Sequence, residues 1–100
     1  MKKTLTTLLA LAATVAMGTA ASAADKLTLQ LKWVTQAQFA GYFVAADQGF
    51  YAEENLDVTI KPGGPDVSPV QVIAGGGADV VIDWMPSALA SREKGVNLVN

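Results

Sequence analysis

The chain has no cysteine and no histidine. Without cysteine there is no disulfide staple, no thiolate nucleophile and no sulfur ligand for a metal. There is also no residue to carry a lipid at an export cleavage point, so an exported form is released rather than tethered. Without histidine the usual general base and the commonest metal ligand are missing. No serine lies in a nucleophile-elbow context and no carboxylates cluster at metal spacing, so no catalytic constellation emerges and no cofactor is implied. Basic residues are few, 7 against 9 acidic. A mildly acidic chain of this kind is a poor partner for nucleic acid or an anionic membrane surface.

No apolar run reaches the roughly 20 residues needed to span a bilayer. The longest, Leu5 to Met17, lies behind Lys2 and Lys3 and ahead of Ala21-Ser22-Ala23. A positive start, a short apolar middle and a small-x-small end are the three parts of a cleaved export signal. Residues 1–23 are therefore expected to be a signal peptide and Ala24 the first mature residue, which points to a periplasmic location. Removing that segment leaves five basic side chains (Lys26, Lys32, Lys61, Arg92, Lys94) against nine acidic ones. Residues 24–100 form a core near the size at which a single domain is marginal without a staple. Val96-Asn97-Leu98-Val99-Asn100 reads as the opening of a further strand. The expectation is an N-terminal portion of a longer protein.

The mature part alternates between two periodicities. Leu27, Leu29 and Leu31 alternate with Thr28, Gln30 and Lys32, a strand with one face buried. A loop over Trp33 to Gln38 follows. Phe39, Tyr42, Phe43 and Ala46 then make one apolar stripe on a helix, stopped by Gly49. Glu53-Glu54-Asn55 continues as a helical turn, and Asn55 is the residue after glycine most tolerant of a left-handed backbone. Leu56, Val58 and Ile60 alternate with Asp57, Thr59 and Lys61 in a second strand. Pro62 to Asp66 is a turn-rich loop. Ser68, Pro69 and Gln71 carry the signature of a capped helix start, a capping box. That helix stops at Gly75-Gly76-Gly77. Ala78 to Ile82 is a continuous apolar run suited to a covered parallel strand. Asp83 to Pro86 is a loop, and Ser87 to Lys94 a helix ended by Gly95. Strand and helix repeated with short connections predict an α/β fold, a parallel sheet with flanking helices and right-handed crossovers.

In such a sheet the three strand-to-helix loops, Trp33–Gln38, Pro62–Asp66 and Asp83–Pro86, share one edge, and each hands over to a helix N-terminus. Trp33 and Trp84, the only tryptophans, each fall at a strand end, where two indoles can sandwich a flat ring or close the top of the core. Gln36 and Gln38 are loop amides, for which solvation is the plain reading. Tyr42 belongs to the apolar stripe, so its ring is expected to pack while its hydroxyl can reach the site. Asp83 is a hydrogen-bond acceptor for an amino group or cation. Gly63-Gly64 either admits a ligand close to the backbone or simply makes a tight turn. The Gly75–Gly77 run lacks the ending of a phosphate loop and precedes a strand.

Trp33 to Tyr51 with Leu56-Asp57-Val58, and then Ala74-Gly75-Gly76-Gly77-Ala78-Asp79-Val80, resemble the periplasmic substrate-binding proteins of ABC importers. The branch is that for thiamine-pyrimidine precursors, nitrate, alkanesulfonates and taurine. The resemblance covers residues 27–100, the opening part of a first lobe. It implies a type II periplasmic binding fold of roughly 300 residues, above the single-domain mode. Its two α/β lobes close on a ligand by hinge motion, and the closed form, usually a monomer, docks on a membrane permease. The family's ligand loops map onto Trp33 to Phe39 and Asp83 to Ser87, which adds Ser87 to the candidate site. Asn55 stands where the family often has glycine. Gln38 stands where the thiamine-pyrimidine members tend to have histidine, which leaves the ligand open.

The loops hold Trp, Gln and Asp with no basic residue, so a neutral or cationic nitrogen heterocycle suits them better than an oxyanion. A sulfonate, taurine or nitrate held by helix N-termini is the alternative. A pyrimidine-precursor synthase on the same fold is a second, against which the export signal and the missing histidine and cysteine weigh. A receptor sensor domain is a third, recognisable by a transmembrane helix beyond a second lobe. Half a cleft cannot enclose a ligand, so the isolated 100 residues are expected to bind weakly or not at all.

Overall fold

A computed structural model describes residues 22–100; the expected signal peptide falls almost wholly outside them, with Ser22 and Ala23 in irregular, exposed backbone. The central strand, β1 (Asp25–Gln30), pairs in parallel with β2 (Leu56–Lys61) on one side and with β3 (Val80–Val81) on the other, giving the order β2-β1-β3. The chain thus leaves β1 in one direction and returns to its other side for β3. That reversal makes the ends of β1 and β3 a topological switch point, the place where open α/β sheets bind ligands.

Helices connect the strands as the periodicity predicts. A 3₁₀ turn (Ala37–Phe39) leads into α1 (Ala40–Asp47), and α2 (Phe50–Glu53) follows after Gly49. Gly49 has φ +79° and Asn55 φ +58°, so both adopt the left-handed backbone that their residue types tolerate. Helix α3 (Pro69–Ala74) opens with the Ser68 side chain accepting from the Gln71 N–H at 3.4 Å. Among the described residues the return bond of the expected capping box, from the Ser68 N–H to the Gln71 side-chain oxygen, is absent, so the cap is one-sided. Helix α4 (Met85–Glu93) begins two residues earlier than the sequence suggests, because Pro86 sits comfortably in a first turn where no N–H bond is needed.

The core lies between β1 and α1. Leu29, Leu31 and Phe39 are buried, and Leu27, Tyr42, Phe43, Val58, Ile60 and Ile82 pack against them. The expected stripe of α1 holds for Phe39, Tyr42 and Phe43, while Ala46 is exposed.

Three expectations are corrected. Gln30, assigned to a solvated face, is 2% exposed. Leu29, Gln30 and Leu31 are all shielded, so both faces of β1 are covered at its C-terminal end, as befits the middle strand of a parallel sheet. The buried amide is satisfied: its Nε2 donates to the carbonyls of Leu31 (3.0 Å), Pro62 (3.1 Å) and Lys61 (3.3 Å), tying the ends of β1 and β2 together. The strand expected over Ala78 to Ile82 is reduced to two ladder residues. The segment from Val96 forms no strand. Its backbone turns back on itself, Leu98 N–H to Val96 C=O at 3.0 Å, and the Arg92 guanidinium donates to Leu98 C=O at 2.7 Å. Alternating apolar residues make a strand only where a neighbour offers a ladder.

Candidate functional site

The three loops expected on one edge are brought together there. Gly63 N–H donates to the Trp33 carbonyl at 2.9 Å, which joins the loop after β2 to the loop after β1. A β-carbon on Gly63 would overlap the Leu31 carbonyl oxygen and sit 2.6 Å from the Lys32 carbonyl carbon. The glycine therefore serves an approach of two backbones, β2's exit against β1's exit, rather than an approach of backbone to ligand.

The loops after β1 and β3 are joined by side chains. The register Leu29↔Val80 and Gln30↔Val81 runs on through the Ile82 N–H, which donates to Gln30 C=O at 2.9 Å. One step further along, Lys32 and Asp83 lie side by side. Their ion pair is 2.7 Å long, with the side chains 21% and 5% exposed. The Lys32 ammonium also stands 5.2 Å from the centroid of the Trp84 ring, within cation–π range.

Asp83 is fully engaged. Its Oδ1 accepts from Lys32 and from the Trp84 N–H (2.8 Å), and its Oδ2 from the Ser87 hydroxyl (2.7 Å). The bond to Ser87 spans the first turn of α4 and fixes how that helix leaves the sheet. Burial pushes the Asp83 carboxyl up, but the hydrogen bonds from Lys32, Ser87 and the Trp84 N–H, together with the Lys32 charge, outweigh it and hold the group below the ordinary carboxylate range. Asp83 is thus an anion at neutral pH, and both of its oxygens already accept hydrogen bonds from the protein itself.

The other candidate residues divide into two sets. Trp84 is 70% exposed and Trp33 40% exposed, so both indoles remain open at the edge. Gln36 and Gln38 are exposed; Gln36 opens the 3₁₀ turn, its carbonyl accepting from Phe39 N–H at 2.9 Å. Tyr42 packs its ring against the core, and its carbonyl accepts from the Tyr51 hydroxyl at 3.1 Å.

A cavity of about 560 Å³ near this edge touches the group only at Asp83. It runs along the free side of β3 between α3 and α4, lined by Val70, Val80, Val81, Met85 and Leu89. Neither tryptophan nor Lys32 borders it, so it is the open flank of the sheet and the candidate site is the loop edge.

Lys32 is the residue that sequence reasoning missed, by assigning it to a solvated strand face and counting no basic group in the loops. A signal was present. Leu31-Lys32-Trp33 and Ile82-Asp83-Trp84 have the same pattern, an apolar residue, a charge and a tryptophan, with charges of opposite sign. In neighbouring parallel strands such a repeat aligns the two charges.

Residues 36–100 match the family described as NMT1/THI5 like. A curated relative, the formylaminopyrimidine-binding protein of Halalkalibacterium halodurans, is 28% identical over 78 residues, which is 78% of this chain and 24% of the relative. The chain thus spans about a quarter of the length of that relative. With the order of its parallel sheet, these matches show that the chain belongs to the NMT1/THI5-like family and carries part of its type II periplasmic binding fold.

Proposed function

We propose that this chain supplies the opening part of lobe 1, residues 24–100, of a periplasmic solute-binding subunit of an ABC importer. Residues 1–23 direct its export and are removed. The complete protein works as a monomer without catalysis, closes two lobes on a small pyrimidine-like nitrogen heterocycle, and delivers it to an inner-membrane permease. Trp33, Gln36, Gln38, Tyr42, Asp83, Trp84 and Ser87 are the residues proposed to contribute to ligand binding from this lobe.

The observation that carries the reading is the exposed Trp84 ring beside a half-buried, hydrogen-bonded Lys32–Asp83–Ser87 platform at the switch point of the sheet. An open indole at that position offers a stacking surface to a flat ring. The relative's name supports the same ligand class. The Lys32–Asp83 pair has no net charge, and this supports a neutral ligand over sulfonate, taurine or nitrate.

The test is calorimetric titration of the full-length mature protein with pyrimidines and, separately, with taurine, alkanesulfonates and nitrate. The expected result is saturable binding of a pyrimidine, weakened roughly 2- to 13-fold by Trp84→Ala, the worth of one aromatic stacking contact. Binding of the anions alone would overturn the reading.

A further inference from the structure

Resting on the reading above, we propose that Lys32 is a specificity-determining residue. It selects planar ligands that present an uncharged hydrogen-bond acceptor, such as an amide or formyl oxygen, and rejects those that present an ammonium group. Sequence alone makes Asp83 the group that meets the ligand, and a carboxylate there would favour a cation. The geometry reverses this. Both Asp83 oxygens are already hydrogen-bonded and its side chain is 5% exposed, whereas the Lys32 side chain is 21% exposed. An ammonium carries three donors. Asp83 is the one partner of the Lys32 Nζ among the described residues, which leaves two N–H groups at the site.

Those donors are well placed for a stacked ligand. A ring laid against Trp84 has its centroid about 4.5–7 Å from the indole's, and the Lys32 Nζ stands at 5.2 Å. The ammonium stands over the Trp84 ring itself, so a ligand ring stacked offset on that same face lies beside it, and an acceptor on the rim nearest the lysine meets Nζ. A cationic substituent in that position meets a like charge, with the compensating carboxylate behind the lysine and out of reach. An anion gains little, because Asp83 cancels the lysine's charge at short range. Asp83 and Ser87 act through Lys32: they hold it in place.

The test uses the full-length mature protein and two pyrimidines alike except for one substituent, a formylated aminomethyl group in one and the free aminomethyl group, a cation at neutral pH, in the other. The wild type is expected to prefer the formylated compound by roughly 10- to 100-fold, the size of one hydrogen bond from a charged donor. Lys32→Met uncovers Asp83 and is expected to abolish or reverse that preference, while Lys32→Arg keeps it. If Lys32→Met does not fold, the double variant Lys32→Met with Asp83→Asn removes both charges together and is expected to bind the two compounds with affinities within a few-fold of each other. A wild type that prefers the ammonium compound overturns the inference, as does a preference for the formylated compound that survives in Lys32→Met or in the double variant. In both cases binding of pyrimidines itself stands. A wild type that binds neither pyrimidine but takes up sulfonate or nitrate overturns the function as well as the inference.

Discussion

Replacing Gly63 with alanine adds a single methyl group to a half-buried loop, yet it is expected to destabilise the protein far more than most loop substitutions. The new β-carbon would overlap the Leu31 carbonyl oxygen and lie 2.6 Å and 2.7 Å from the Lys32 carbonyl carbon and oxygen. Every one of these atoms is backbone, so no side chain can rotate away. Relief requires the exits of β1 and β2 to separate by about half an ångström or more. That motion strains the Gly63 N–H bond to Trp33 C=O (2.9 Å) and the Gln30 amide bonds to Lys61 and Pro62. Overpacking of this kind costs about 1–3 kcal/mol, and one weakened hydrogen bond adds about 1 kcal/mol. The expected loss is therefore roughly 2–4 kcal/mol, read as a lower midpoint of urea unfolding at unchanged slope. Gly41→Ala is the matched control. Gly41 lies in the first turn of α1, and a β-carbon there meets nothing within 4 Å. Alanine at that position is expected to stabilise by about 0.4–1 kcal/mol, by limiting the freedom of the unfolded chain. If the two substitutions shift the midpoint in the same direction by similar amounts, the close packing of the strand exits is wrong.

Two further outcomes follow from the site and the core. Asp83 titrates below its ordinary value of about 3.9 in the folded state, so the stability it contributes is fully present above that value and is lost as the pH falls through the depressed folded value. Asp83→Asn is expected to flatten the fall in unfolding free energy below about pH 4; an acid limb identical to that of the wild type would show that the ion pair adds nothing. Phe39 is 4% exposed in the core cluster between β1 and α1, so Phe39→Ala is expected to cost about 3–5 kcal/mol in chemical denaturation. A loss below about 1 kcal/mol would mean that the site refills without a cavity.

Much of this molecule is written locally. The turn at Gly49 and the left-handed Asn55 lie where residue type alone places them, as does the cap at Ser68. The succession of strand and helix follows from periods of two and 3.6 that each segment carries by itself. These features are legible because they depend on interactions within a few residues.

What the tertiary structure decided depends on partners distant in the chain. Gln30 reads as a surface residue until both faces of β1 are covered and the carbonyls of Lys61 and Pro62 arrive to bind its amide. Val96 to Asn100 has the alternation of a strand but joins no ladder among the described residues. The site shows the same division. The chemistry of Trp33, Asp83 and Trp84 at an α/β sheet edge is legible in the sequence, whereas the fact that Asp83 is spent on Lys32 and Ser87 is not. Only the parallel pairing of β1 with β3 sets Lys32 beside Asp83, turning a carboxylate that reads as a cation site into the support for an ammonium donor. The sequence by itself determined the elements and the kinds of side chain at their ends. The order β2-β1-β3 determined which of those side chains meet, because register and burial are properties of pairs of strands and not of any one segment.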